Sequence, residues 1–297
     1  MKQSNKKEMS LPFIPPQSSD LKVSFEFFPP KTEKMEETLW ESIDLLAPLS
    51  PEFVSVTYGA GGTTRQRTHD IVTNINKKTG LSVAAHLTCI GASRGEIDDI
   101  ARQYWDEGVK HIVALRGDLP ENYQHPKDGY NHANELVEGL KKIADFEISV
   151  AGYPEKHPEA KTIEEDLDNL KRKVDAGADR VVSQFFLDPN VFLDFCDKAQ
   201  NAGIKTPIIP GILPITNFNK TLEFANNCNA KIPEWFETIF EGLDDQPNTR
   251  KLVSAMVAAE QCKTLYDNGV KHFHFYTLNR AELSMAICHM LGVRESK

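Results

Sequence analysis

Glu26 is a carboxylate in a place where a carboxylate is costly. The run VSFEFFPP, Val23 to Pro30, carries the β-branched and aromatic residues of a buried strand. It is closed by two prolines that cannot continue a ladder. Side chains alternate along a strand, so Ser24, Glu26 and Phe28 share one face and Val23, Phe25 and Phe27 the other. A carboxylate costs less towards a polar cavity than under a layer of helices, which assigns Glu26 to an interior-facing site. The same rule selects polar residues at the ends of other apolar runs: Thr57 after FVSV, His86 in AAHLT, Arg116 and Asp118 in LRGD, and Gln184 in VSQFF. Taken singly, each could be a satisfied core group, and Arg116 with Asp118 could be a structural ion pair. Acid, imidazole, guanidinium and amide groups at the same end of several strands point instead to a ligand site with proton chemistry.

A second constellation lies in TIEEDLDNLKRKVDAGA. Asp166, Asn169 and Lys173 fall at i, i+3 and i+7 with Arg172 beside them, opposite a packing stripe of Leu167, Leu170 and Val174. That polar edge could hold ribose hydroxyls through the acid and amide, and phosphates through the cations. A solvated helix face laced with i,i+4 pairs has the same composition. The loop TYGAGG, Thr57 to Gly62, could present backbone N–H groups to a ligand, but lacks the GK[ST] ending of a phosphate loop. Gly117, where LRGD turns, allows either close approach of a flat ligand or a special backbone angle. The histidines show no metal-binding spacing; those of HFH, His272 and His274, alternate in a strand-like run.

The elements that must position these residues recur along the chain. Strand-like runs begin at Val23, Phe53, Ser82, His111, Glu147, Arg180, Pro207 and His272, with helix patterns between them. Thr32 can cap the first helix, whose Met35, Leu39, Ile43 and Leu46 keep one face. Gly108, Gly177 and Gly203 stand where helices end. Eight strand–helix alternations in 297 residues predict a closed (β/α)8 barrel, the TIM barrel, over residues 21–297 as one domain. The long stretch between the seventh and eighth strands, TLEFANNC and then Pro233 to about Asn268, reads as an elaborated seventh unit. No GxGxxG follows the first strand, which disfavours a doubly wound sheet. Residues 1–20 read as a flexible arm whose Leu11, Phe13 and Ile14 could dock elsewhere.

Composition bounds the function. A formal net charge of −9 argues against a general nucleic-acid or anionic-membrane binder. There is no span long enough for a bilayer and no secretory signal. Five scattered cysteines fit a reducing, cytoplasmic setting.

From about Val23 to Arg294 the chain resembles the methylenetetrahydrofolate reductase family of the bacterial, catalytic-domain-only kind. The resemblance rests on VSFEFFPPKT, FVSVTYGAGG, HLTCI, HIVALRGDLP, SVAGYPEKHPEA, LKRKVDAGAD, QFFLD, IIPGILPI and HFYTLNRAE, in that order. It implies a barrel that carries non-covalent FAD. It also implies an enzyme that takes a hydride from NAD(P)H, NADH by preference, and reduces 5,10-methylenetetrahydrofolate to 5-methyltetrahydrofolate by a ping-pong route that feeds methionine synthesis. A homotetramer is implied, without the large regulatory domain of eukaryotic relatives. Carried over residue by residue, Glu26 matches the general acid and Asp118 a second catalytic position. Thr57, Tyr58, Ala60, His86, Arg116, Gly117, Asp118, His132, Ala133, Tyr153, His157, Asp166, Asn169, Arg172 and Lys173 match flavin-contacting positions. Glu26, Asp118, Gln184, Lys220, Phe224 and Arg280 match positions around the folate.

Two chemical expectations accompany the resemblance. Glu26, flanked by phenylalanines, is expected to have its pKa raised by desolvation and so to stay protonated near neutral pH. Asp118 is expected to be ionised and to influence the flavin potential. The rival readings are a flavin-free barrel methyltransferase acting on pterins, and a non-enzymatic folate- or flavin-binding barrel.

Overall fold

The computed structural model describes residues 21–58, 65–118 and 126–295. Eight parallel strands close into a barrel in chain order. They are β1 (Lys22–Phe27), β2 (Phe53–Val56), β3 (Val83–Thr88), β4 (His111–Leu115), β5 (Glu147–Gly152), β6 (Arg180–Phe185), β7 (Ile208–Ile212) and β8 (His272–Tyr276). Helices α1 (Glu33–Leu46), α2 (Arg65–Thr79), α3 (Arg94–Asp106), α4 (Ala133–Ile143), α5 (Ile163–Asp175) and α6 (Pro189–Asn201) follow the first six strands. As the sequence predicts, the seventh unit is elaborated: α7 (Phe218–Asn227), α8 (Glu234–Phe240) and α9 (Pro247–Asp267) lie between β7 and β8, and α10 (Ala281–Met290) follows β8.

Local chemistry accounts for the boundaries. The Thr32 hydroxyl accepts the Met35 N–H at the start of α1, and Ser93 and Glu96 form a reciprocal capping box on α3. Gly108, Gly177 and Gly203 take positive φ past the ends of α3, α5 and α6, the backbone angles at which a glycine stops a helix without strain.

Alternation along β1 divides the two layers. Val23, Phe25 and Phe27 are buried in the shell between barrel and helices, with Leu39 and Ile43 of α1 and Ile287 of α10. Inside the barrel a small apolar cluster of Phe53, Ala84, Val113 and Val182 is interleaved with buried Ser24, His111, Ser149 and His274. Barrel interiors are usually filled by branched aliphatic side chains, so this lower layer is unusually polar. β1 meets β8 in register, with Ser24 opposite His274 and Glu26 opposite Tyr276. The β6–β7 ladder is irregular between Val182 and Phe185. There Ser183 Oγ accepts the Gly211 N–H at 2.9 Å, and Gln184 Oε1 accepts the Phe185 N–H at 2.9 Å. Among the described residues no helix is long and apolar enough to cross a membrane.

Candidate functional site

The C-terminal ends of the strands surround a cavity of ≈ 630 Å³, within the range of small-molecule sites. Seven of the expected residues line it: Glu26, His86, Asp118, Tyr153, His157, Gln184 and Phe224. They come from β1, β3, the ends of β4 and β5, β6 and α7, so barrel closure gathers groups spread over two hundred residues.

Glu26 points inward, its side chain 18% exposed. The turn after β8 fixes its backbone. Thr277 donates to the Glu26 carbonyl oxygen from Oγ1 at 2.6 Å and from its N–H at 3.3 Å. Asn279, in a left-handed conformation that asparagine tolerates, accepts the Phe28 N–H at 3.0 Å and donates Nδ2 to the Phe28 carbonyl at 2.9 Å. The carboxylate lies among polar neighbours: Oε2 is 3.2 Å from His86 Nε2 and 3.7 Å from His274 Nε2, and Ser55 Oγ donates to it at 3.4 Å. His86 Nε2 is at ion-pair distance but outside hydrogen-bonding geometry.

This surrounding corrects the expectation that Glu26 is kept protonated by phenylalanines. Phe25 and Phe27 face the helices, not the carboxyl group. Burial raises the carboxyl pKa, but the electrostatic pull of the His86 and His274 imidazoles at 3.2 and 3.7 Å outweighs it and brings the value to about 2. With the cavity open to solvent, Glu26 is a carboxylate held between two imidazoles.

The edge of α5 meets the cavity through β5. Lys173 Nζ donates to the carbonyl of Ala151, a lining residue, at 2.5 Å. Burial lowers the Lys173 pKa to about 8, against the opposing pull of Asp166. Asp166 accepts the His157 N–H at 2.9 Å, and Arg172 donates to Asn169. A half-buried amine bonded to a backbone carbonyl, an exposed guanidinium, an acid and an amide on one helix edge suit an anion flanked by hydroxyls. Tyr153, edge-on to His157 at 4.6 Å, has its phenol pushed up to about 12, chiefly by burial.

Other expected residues stand apart from the cavity wall. Arg116 is paired with Glu159, which does line the cavity, rather than with Asp118. At Gly117 φ is +93°, and a Cβ would come within 2.5 Å of Ile90 Cγ2. The chain's own path therefore requires that glycine. Thr57 and Tyr58 are half-buried after β2, with the Thr57 N–H bonded to the Phe27 carbonyl. His132 is exposed at the start of α4 and Ala133 begins that helix. Lys220 and Arg280 are exposed in the first turn of α7 and before α10. Ala60, most of the TYGAGG loop, and the arm with Leu11, Phe13 and Ile14 lie outside the described residues. His274, Tyr276, Glu159 and Asn279 escaped sequence reasoning as site residues. The period-2 rule that selected Ser24 and Glu26, applied to HFHFY, would have turned His272, His274 and Tyr276 inward.

Comparison with known proteins gives a consistent result. The family model described as methylenetetrahydrofolate reductase matches residues 14–292. The 5,10-methylenetetrahydrofolate reductases of Salmonella typhimurium and Escherichia coli are each 57% identical over 274 residues, covering 92% of this chain and 92% of their own. Methylenetetrahydrofolate reductase (NADH) 1 of Arabidopsis thaliana is 37% identical over 289 residues, which span 92% of this chain and 49% of the plant protein. Among solved structures, an uncharacterized protein from Clostridium thermocellum that binds two copies of 5-methyl-5,6,7,8-tetrahydrofolic acid superposes with a TM-score of 0.62. It is 16% identical and covers 92% of this chain and 94% of that one, a likeness of fold alone.

Proposed function

The chain belongs to the methylenetetrahydrofolate reductase family, and from that premise we propose that it reduces 5,10-methylenetetrahydrofolate to 5-methyltetrahydrofolate with electrons from NADH, Glu26 acting as the acid. The observation that carries the assignment of the acid is the Glu26 carboxylate on the cavity wall between His86 and His274. Protonating the nitrogen that bridges the methylene group opens the five-membered ring of the substrate to an iminium cation, the form that accepts a hydride. An FAD held along the α5 edge would supply the hydride chemistry between nicotinamide and folate.

A pterin that fills the cavity strips solvent from this corner. Loss of solvent disfavours the charged carboxylate, so Glu26 takes up a proton as the substrate binds. Glu26 thus becomes an acid only where an acid is needed. Asp118 would hold the pterin's amino edge through charge-assisted hydrogen bonds. Phe224, 44% exposed at the rim, offers a ring face for stacking. Asp166, Asn169, Arg172 and Lys173 fit an FAD, the cations against its diphosphate and the acid and amide against ribose hydroxyls. That helix edge and the family match favour the reductase over a flavin-free methyltransferase. Assembly into several copies is supported by the apolar residues left exposed on α8 and α9, among them Trp235, Leu252 and Met256.

The test separates the two half-reactions of the FAD-loaded enzyme. With Glu26→Gln, reduction of the flavin by NADH should proceed, while its reoxidation by the folate should fall by about 10²–10⁴, the usual worth of a positioned acid. Equal loss in both rejects the assignment.

A further inference from the structure

Reduction by hydride consumes one proton per turnover, and Glu26 must be reloaded each time. The exposed part of its side chain faces the cavity, which bound reactants fill. The polar layer beneath it offers another way in. On β8, His272 and His274 share the interior face, and between them Ser24 of β1 faces the same side. His272 Nε2 is 3.1 Å from Ser24 Oγ, Ser24 Oγ is 2.8 Å from His274 Nδ1, and His274 Nε2 is 3.7 Å from Glu26 Oε2. His272 is half-buried and lines a separate cavity of ≈ 690 Å³ at the N-terminal face of the barrel, with Lys22, Glu52, Asp179 and Arg180. The ring of Phe53 stacks on His274 and meets His272 edge-on, which holds both imidazole planes.

From this line of groups we infer that His272, Ser24 and His274 form a proton path that crosses the barrel from its N-terminal face and loads Glu26. The inference rests on Glu26 being the acid. In one passage, His272 takes a proton from water at Nδ1 and releases its Nε2 proton to Ser24 Oγ. Ser24 releases its hydroxyl proton to His274 Nδ1, and His274 releases its Nε2 proton to Glu26 Oε2. Every group breaks one bond to hydrogen as it makes another, so no charge rests on the path. A rotation of the carboxyl closes the last gap, and reorientation of the rings restores the starting tautomers. The three relay residues are positioning residues: they act through Glu26. A satisfied core pair would need no such continuity, and the same layer contains one. His111 Nε2 lies 2.7 Å from Ser149 Oγ and its Nδ1 3.8 Å from Glu147 Oε2, so that pair runs to the start of β5 and not to Glu26.

The experiment follows reoxidation of the FAD-loaded, NADH-reduced enzyme by methylenetetrahydrofolate in mixtures of H2O and D2O. The unaltered enzyme should give a bowed dependence on deuterium fraction, the mark of several protons moving together. Ser24→Ala and His272→Gln should each slow this half-reaction roughly tenfold or more relative to the nicotinamide half-reaction, below the full worth of the acid, and make the dependence linear. Ser24→Thr, which keeps the hydroxyl, should retain the bow, and so should Ser149→Ala, which removes an unconnected bond of the same kind. If Ser24→Ala and His272→Gln keep rate and bow while Glu26→Gln loses the half-reaction, the path is wrong and the acid stands. If Glu26→Gln keeps the half-reaction, both fail. Should the Ser24 variant not fold, ¹⁵N spectra of the full chain decide. Both His272 and His274 should carry their protons on Nε2, and an Nδ1 proton on His274 would overturn the path.

Discussion

Arg116 and Glu159 are joined at two points across the edge of the cavity, Nη1 to Oε2 at 2.7 Å and Nη2 to Oε1 at 2.6 Å. The Glu159 side chain is more than half exposed, so the pair contributes little to stability and is readily exchanged for another anion. A cofactor phosphate reaching Arg116 must displace this carboxylate. Glu159→Gln is therefore expected to tighten FAD binding by roughly twofold to tenfold at low salt, and Arg116→Gln to weaken it. Flavin fluorescence titration reads both, and a weaker cofactor with Glu159→Gln would show that the pair supports the site instead of competing with it.

If Lys173 faces the FAD diphosphate as proposed, cofactor binding should depend on pH. Its pKa of about 8 lies below the ordinary 10.5, so the folded, cofactor-free chain binds fewer protons than the unfolded chain between those values. Stability on this account rises with pH across that window. A diphosphate beside the amine raises its pKa again, so FAD binding takes up a proton above about pH 8 and its affinity should fall as pH rises from there. Lys173→Met should bind FAD more weakly at neutral pH and flatten this dependence. An unchanged pH profile in that variant would remove Lys173 from the phosphate site.

Asp118 lines the cavity at the end of β4. A negative charge close to the isoalloxazine disfavours the reduced anion. Asp118→Asn should raise the flavin potential and weaken folate binding, read by redox titration and by the KM for the folate. A potential that stays fixed would place the charge too far from the ring.

Asn279 clamps the chain immediately after Glu26. Asn279→Ala leaves the Phe28 N–H and carbonyl without these partners, which should cost about 2–4 kcal/mol of stability, measured by urea denaturation. It should also slow folate reduction more than flavin reduction, because the carboxyl loses its aim. Equal slowing would make the clamp purely structural.

The barrel was readable because its signals are local. Strand runs at regular spacing, caps such as Thr32 and glycines such as Gly177 act within a few residues. The interior face of Glu26 was readable for the same reason. Its protonation was not, because His86 arrives from β3 and His274 from β8, neighbours that exist only once the barrel closes. Arg116 illustrates the same limit. Its adjacency to Asp118 in LRGD was visible, whereas Glu159 lies on another loop, 43 residues along the chain.

The irregular ladder between β6 and β7 leaves one further mark on recognition. Because Gln184 Oε1 is occupied by the Phe185 N–H, its amide cannot turn over without stranding that donor. Were Gln184 to meet a ligand from this wall, it would offer its amide nitrogen, which gives hydrogen and cannot receive it. A compound whose facing edge also gives hydrogen would then find two donors opposed, so a single backbone irregularity would let the cavity discriminate between pterin-like tautomers.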